Sequence, residues 1–147
     1  MPDYAFPARL QLRLDWSELD LFGHVNNVSY FKYLQASRLN YWEKLGLTLW
    51  FKDRGIGPIL ASTRCEFRKP LNYPGSITVR VSVAEMRHTS FSLYHQVIDE
   101  AGDIAAEGYD VVVLYDYRKN EKYALPDELR RQVEAAEGRS FAAREEQ

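Results

Sequence analysis

Cysteine is almost missing from this chain. Cys65 is the only one, so no intrachain disulfide can form and a reducing compartment is the simpler setting. The three histidines, His24, His88 and His95, have no spacing to Cys, Asp or Glu that would hold a metal, so none is expected. No apolar run approaches the ~20 residues that cross a bilayer. Met1 to Arg9 has neither the basic start nor the apolar core of a secretory signal. These absences predict a soluble, cytoplasmic protein with no membrane partner. Charge of one sign is also lacking: 19 Lys and Arg stand against 21 Asp and Glu, a net charge of −2, which gives no pull towards nucleic acid. No G-x-S-x-G elbow, P-loop or dinucleotide fingerprint occurs, so an α/β-hydrolase is excluded and no cofactor is implied.

What the chain does hold is a dense aromatic set, ten Tyr, seven Phe and three Trp in 147 residues, and enough length to bury a core. Composition alone does not separate packing from an acyl or aryl pocket as the use of these rings. Arg9 to Leu14 alternates, with Leu10, Leu12 and Leu14 on one face, and predicts a first strand. Val28 to Leu45 repeats apolar residues at three and four, predicting a helix of about five turns. Asn26 or Asn27 is placed to start it and Gly46 to stop it. A short helical stretch, Leu49 to Arg54, follows. Ile59, Ala61, Thr63, Cys65 and Phe67 then predict one face of a second strand, and Ile77 to Val83 a third. Phe91 to Val97 predicts a fourth strand and Asp103 to Tyr117 a fifth, with Val111 to Leu114 buried on both faces. Pro126 to Ala136 predicts a last helix. The order is strand, long helix, then four strands in an antiparallel meander. The expected fold is α+β, one domain over 1–137 in which a curved antiparallel sheet of five or six strands wraps a central helix, with a polar tail at 138–147.

The segment Trp16 to Arg38 carries the chemistry. It places an acid, Asp20, just before the start of a long helix, with Gly23 between them permitting close backbone approach. The first amides of a helix lack internal partners and lie at the positive end of its dipole. A carbonyl held there is polarised as in an oxyanion hole, where one good donor is worth roughly 3–4 kcal/mol. A carboxylate beside it can attack that carbonyl or take a proton from water. A thiolate leaving group, with a conjugate acid like that of Cys (pKa about 8.5), needs no strong general acid. By these residues alone Asp20 can equally be a turn or helix cap.

Glu18-Leu19-Asp20-Leu21-Phe22-Gly23-His24-Val25-Asn26-Asn27, followed by Tyr30, Tyr33 and Arg38, resembles the signature of the 4-hydroxybenzoyl-CoA thioesterase-like branch of the hot-dog superfamily, which also holds long-chain acyl-CoA thioesterases. Phe67 to Leu71, Thr89 to Phe91 and Ala106 to Val113 resemble later parts of the same pattern, so the resemblance runs to about Pro126. It implies a hot-dog fold and hydrolysis of an acyl-CoA thioester. Asp20 would be nucleophile or general base, and the backbone around Asn26 and Asn27 would polarise the carbonyl. Glu18 replaces the family's usual first Asp, a position we read as structural. Gln35 stands where relatives often have Glu, and a neutral amide leaves Asp20 as the acid.

Gly23, His24 and Tyr30 fall at the expected substrate site, His24 as a structural or substrate contact more than a proton carrier. Coenzyme A is polyanionic, and Arg68-Lys69, Arg87-His88 and Arg118-Lys119 are the basic candidates to meet it. Arg87 and His88 are favoured, because Thr89 and Ser90 beside them supply hydroxyls. The partner is thus an acyl-CoA, in a homodimer or homotetramer. The family pairs identical edge strands and builds its sites at the subunit junction, and Thr89 to Val97 reads as a strand meant to be paired. A non-catalytic acyl-binding hot-dog protein, or a thioesterase acting on acyl carrier protein, are the alternatives.

Overall fold

A computed structural model describes residues 3–142. The chain runs β1 (Ala8–Arg13), a 3-10 turn (Trp16–Glu18), α1 (Asn27–Leu45), α2 (Leu47–Arg54), β2 (Ile56–Phe67), β3 (Ser76–Met86), β4 (Ser90–Ile98), β5 (Ile104–Asp116), the two-residue β6 (Glu121–Lys122) and α3 (Asp127–Glu137). One antiparallel sheet holds every strand, in the order β1-β3-β4-β5-β2 with β6 on β5, and it curls round α1.

α1 begins where the sequence predicts. Asn26 accepts from the Ser29 amide at 2.9 Å through its side chain, and Gly46 ends the helix in the left-handed region at φ 76°, where a residue without Cβ is unstrained. Its inner face, Tyr30, Tyr33, Leu34, Ser37, Tyr41 and Leu45, is buried against the sheet. Gly108 permits the close approach: a Cβ there would lie 2.7 Å from both methyls of Leu34.

The meander is corrected. Only β3, β4 and β5 follow one another across the sheet, whereas β2 pairs with β5, from Ile56↔Asp116 to Phe67↔Ala106. Residues 68–75 therefore carry the chain from one side of the sheet to the other, and β2 is left as an edge. The single predicted face of β2 fails as well. A bulge between Leu60 and Ser62 shifts the register at Ala61, and residues 60–64 are exposed on both faces. β4, expected to be an open edge, is the middle strand between β3 and β5. Val111 to Leu114 is not buried on both faces but alternates between half-buried and buried.

The pairing of β1 begins with Ala8 opposite Val81 and leaves the rest of β3 beyond it uncovered, where the C-terminal segment takes over its role. Glu137 accepts from the Val83 amide at 2.8 Å, and Arg139 donates to the Ala84 carbonyl at 2.8 Å. The expected polar tail thus begins as a docked segment through at least Phe141, which packs on the core; residues 143–147 lie outside the described residues.

Candidate active site

The loop between the 3-10 turn and α1 is closed by its own polar groups. Asp15 and Glu18 form a reciprocal cap of the turn. The Glu18 carboxylate is buried and accepts from the Asp15 amide at 2.9 Å, the Tyr33 hydroxyl at 2.8 Å and Lys32 Nζ at 3.2 Å. Burial, with Glu18 beside it, holds the Tyr33 phenol well above its ordinary range. Glu18 thus ties the loop to α1, in keeping with a structural reading of that position.

Asp20 lies at the base of the tip. Its amide donates to the His24 carbonyl at 2.7 Å, and Oδ1 accepts from the Phe22 and His24 amides at 2.9 and 3.2 Å. One carboxylate oxygen is therefore anchored, while Oδ2 accepts no bond among the described residues. The carboxylate faces solvent in the single chain. Gly23 sits at φ 80°, and nothing lies within 4 Å of a Cβ built on it. A residue without Cβ takes this left-handed turn without strain. His24 is exposed, and its backbone bridges to Asn72. The Val25 amide donates to the Leu71 carbonyl at 3.0 Å, which seats the loop on the crossover.

The start of α1 corrects the expected donors. The Asn26 amide is occupied by the Glu18 carbonyl at 2.8 Å, and its side chain caps Ser29. That leaves the Asn27 and Val28 amides with no acceptor among the described residues. In the sequence a cap can be assigned to either Asn, and which amides it leaves open depends on which Asn it is. Asn27 opens on a cleft of about 320 Å³ lined by Val25, Tyr30, Phe67, Arg68, Lys69 and Pro70. Tyr30 is buried and stacks edge-on against Phe67, ring centres 5.0 Å apart.

Arg68 and Lys69, passed over in the sequence reading, stand at this cleft. Each is paired already, Arg68 with Glu66 and Glu107 and Lys69 with Asp99 and Asp103. Arg87, His88 and Ser90 do not come near it within one chain. Ser90 pairs with Val113, whereas Phe67 pairs with Ala106, so roughly 20 Å of β5 lies between the two ends at ~3.3 Å per residue. Arg87 is bound to Glu85 and to the Ser92 hydroxyl in its own hairpin.

A second polar cluster, unnoticed in the sequence, lies under the middle of α1. Asp110, with no exposed side-chain surface, accepts from His95 Nε2 at 2.6 Å, Thr63 Oγ1 at 2.7 Å and Arg38 Nη1 at 3.0 Å. The other nitrogen of His95 meets Ser37 Oγ at 2.9 Å. Burial drives the His95 pKa down against the pull of Asp110. Burial opposes the charge on Asp110, yet its three partners hold the pKa below the ordinary value. The sequence signal was present: His95 and Asp110 occupy inward positions of strands otherwise apolar. A cleft of about 350 Å³ lined by Ser62, Thr63, Arg64, Tyr94 and Tyr109 reaches Asp110 of this set, and neither His95 nor Ser37 lines it.

The fold and the loop define a class, and comparison with known proteins gives the same one. Residues 14–133 match the thioesterase-like superfamily, to which the chain belongs. It is 24% identical over 126 residues to the long-chain acyl-CoA thioesterase FadM of Escherichia coli K12, covering 84% of this chain and 95% of that one. It is 30% identical over 92 residues to the 4-hydroxybenzoyl-CoA thioesterase of Pseudomonas sp. strain CBS-3, covering 60% and 65%. A Thermus thermophilus thioesterase solved with coenzyme A and zinc has the same fold, with a TM-score of 0.82 at 24% identity over 92% of this chain and 98% of that one. The chain is a thioester hydrolase of the hot-dog fold.

Proposed function

We propose that this protein hydrolyses acyl-CoA thioesters, with Asp20 as the catalytic carboxylate and the Asn27 and Val28 amides as the carbonyl donors. The observation that carries the reading is the pairing of an anchored carboxylate, Oδ2 free, with open helix amides at one end of one loop. The relatives named for long-chain and 4-hydroxybenzoyl thioesters supply the substrate class. In the general-base course, Asp20 takes a proton from water and the resulting hydroxide adds to the thioester carbon. The oxyanion is held by the two amides, where water-excluding surroundings make each donor worth most. The carbon–sulfur bond then breaks, giving free acid and the CoA thiolate. In the nucleophilic course Oδ2 itself adds to the thioester carbon, the carbon–sulfur bond breaks to release the CoA thiolate and leave a mixed anhydride, and water cleaves that to the free acid and the Asp20 carboxylate.

The working unit in this reading is a homodimer. Leu21 is 93% exposed, Phe22 81%, Trp16 70% and Val28 66%, so the reacting loop of a lone chain is ringed by apolar surface and offers no dry site. Antiparallel pairing of two β2 edges about the exposed stretch 60–64 sets the Phe67 end of one beside the Ile56 end of the other. That end of the sheet carries the β3–β4 hairpin, so the partner's Arg87, the partner's His88 and the partner's Ser90 approach the cleft of the first chain. Tyr30 and His24 then contact the acyl side of the substrate.

Thiol release from short, long and aromatic acyl-CoAs tests the reading. Turnover of at least one class by the wild type, lost in Asp20→Asn, is the expected result. No release from any of them would refute it.

A further inference from the structure

α1 has two flanks, and their chemistry differs. At 100° per residue, Asn27, Phe31, Gln35, Arg38 and Trp42 fall on one side of its buried stripe. The other side faces β1, where Asn40 donates to the Arg9 carbonyl and Lys44 to the Pro7 carbonyl. Trp42 lines an apolar pocket with Gly57 and Pro58 of β2, so the first flank faces β2, the free edge of the sheet. Arg38 sits in the middle of it, level with Thr63 through their shared carboxylate, Asp110.

The Arg38 side chain is only 12% exposed, and its guanidinium carries five N–H donors in one rigid plane. A single donor group, Nη1, is placed, on Asp110 at 3.0 Å. The remaining nitrogens have no acceptor among the described residues. These nitrogens still reach solvent in the single chain, so a surface that covers them must supply acceptors or leave them unmet at a cost. Beside it runs the outer edge of β2, where alternate backbone N–H and C=O groups point away from β5 without a strand to meet them. A second copy of this chain brings that same edge, and with it a row of carbonyls.

We propose that Arg38 is the residue by which the chain recognises its own second copy, its open guanidinium donors bonding backbone carbonyls of the partner's β2. This rests on the dimer reading above and adds the contact that selects it. Asp110 is the positioning residue. Held by His95 and Thr63, it fixes the guanidinium plane, and Thr63 ties that plane to a defined place along β2. The network at the centre of each subunit is therefore the support of the subunit junction, and through it of a site that one chain does not complete.

The test uses the full chain and two variants. Arg38→Lys keeps a cation for Asp110 and loses the fork of donors; Arg38→Met with Asp110→Asn removes the buried pair together. Dimer dissociation is followed by sedimentation, and specific activity is read across the same dilution series. Each folded variant is expected to dissociate at tenfold or higher concentration, about 1.4 kcal/mol per tenfold, with turnover lost on dilution and restored on concentration at unchanged KM. A dissociation constant unchanged in a folded variant overturns the role of Arg38 and leaves the dimer reading standing. A wild type that is an active monomer at every concentration overturns the dimer reading itself. If neither variant folds, the wild type decides: Arg38 guanidinium protons protected from exchange in the dimer and released on dilution support the contact, and equal exchange in both states refutes it.

Discussion

Replacing Asp20 by Asn isolates the chemistry from the loop. The amide oxygen of Asn can still accept from the Phe22 and His24 amides as Oδ1 does at 2.9 and 3.2 Å, and the backbone bond to the His24 carbonyl is untouched. The side chain is exposed in the single chain, so folding loses little. What disappears is the basic or nucleophilic lone pair on the second oxygen. A positioned general base contributes typically about 10²–10⁴-fold, or roughly 3–5 kcal/mol of barrier, and kcat should fall by that factor. KM should change little, because the cleft at Asn27 and the open amides remain. The assay is thiol release under saturating acyl-CoA, with circular dichroism and dimer mass as controls for folding. A folded dimer retaining near-normal kcat would refute the assignment and turn attention to Glu66 on the neighbouring strand, since Glu18 is buried and bound on both oxygens.

Gly108→Ala places a methyl 2.7 Å from both Leu34 methyls and 3.3 Å from the His95 Cβ, and should destabilise the fold by about 1–2 kcal/mol as an overpacked core position, read as a lower urea midpoint. Burial depresses the folded His95 pKa, so as pH falls through the ordinary His range the unfolded chain binds the extra proton. Stability should therefore be full above about pH 6.5 and decline as pH falls, by at most about 1.4 kcal/mol per unit; urea midpoints from pH 8 to 5 measure it, and His95→Gln should flatten that slope. A wild-type profile already flat would remove His95 from the account. Arg87→Ala should raise KM for acyl-CoA by roughly 10–100-fold, as for one charge-assisted contact of about 1–3 kcal/mol. Acyl-pantetheine, which lacks the nucleotide, should be unaffected, and equal effects on both substrates would show that Arg87 does not meet it.

Local signals were legible and long-range ones were not. Asn26 and Gly46 bound α1 because capping is decided within a few residues, and the alternation of Ile77 to Val83 gave β3 its buried face directly. The partner of β2 could not be read the same way. Adjacent strands usually pair, and nothing between Phe67 and Ser76 announces a crossover. The bulge at Ala61 likewise exists only against β5. At the site, the Asp20 loop and the helix start were visible as residues. The occupied Asn26 amide was not, because its acceptor, the Glu18 carbonyl, is a matter of backbone path. The distance from Arg87 to the cleft depended on the strand order that the sequence left open.

The crossover has a consequence for how the molecule reaches its native state. The β3–β4–β5 ribbon needs only short loops to close, whereas β1 must find Val81 from Ala8 and β2 must find Asp116 from Ile56. Contacts between residues far apart in sequence form late and slow folding. The reacting loop is seated through Leu71 and Asn72 on the crossover itself, so it acquires its shape only after both outer strands have docked. Once docked, β2 still has an open side as an edge of the sheet. Nascent chains that collide at this stage meet the same unpaired backbone through which the proposed dimer forms, and productive pairing and aggregation become competing fates of one intermediate, their ratio set by protein concentration and by the speed of β2 docking.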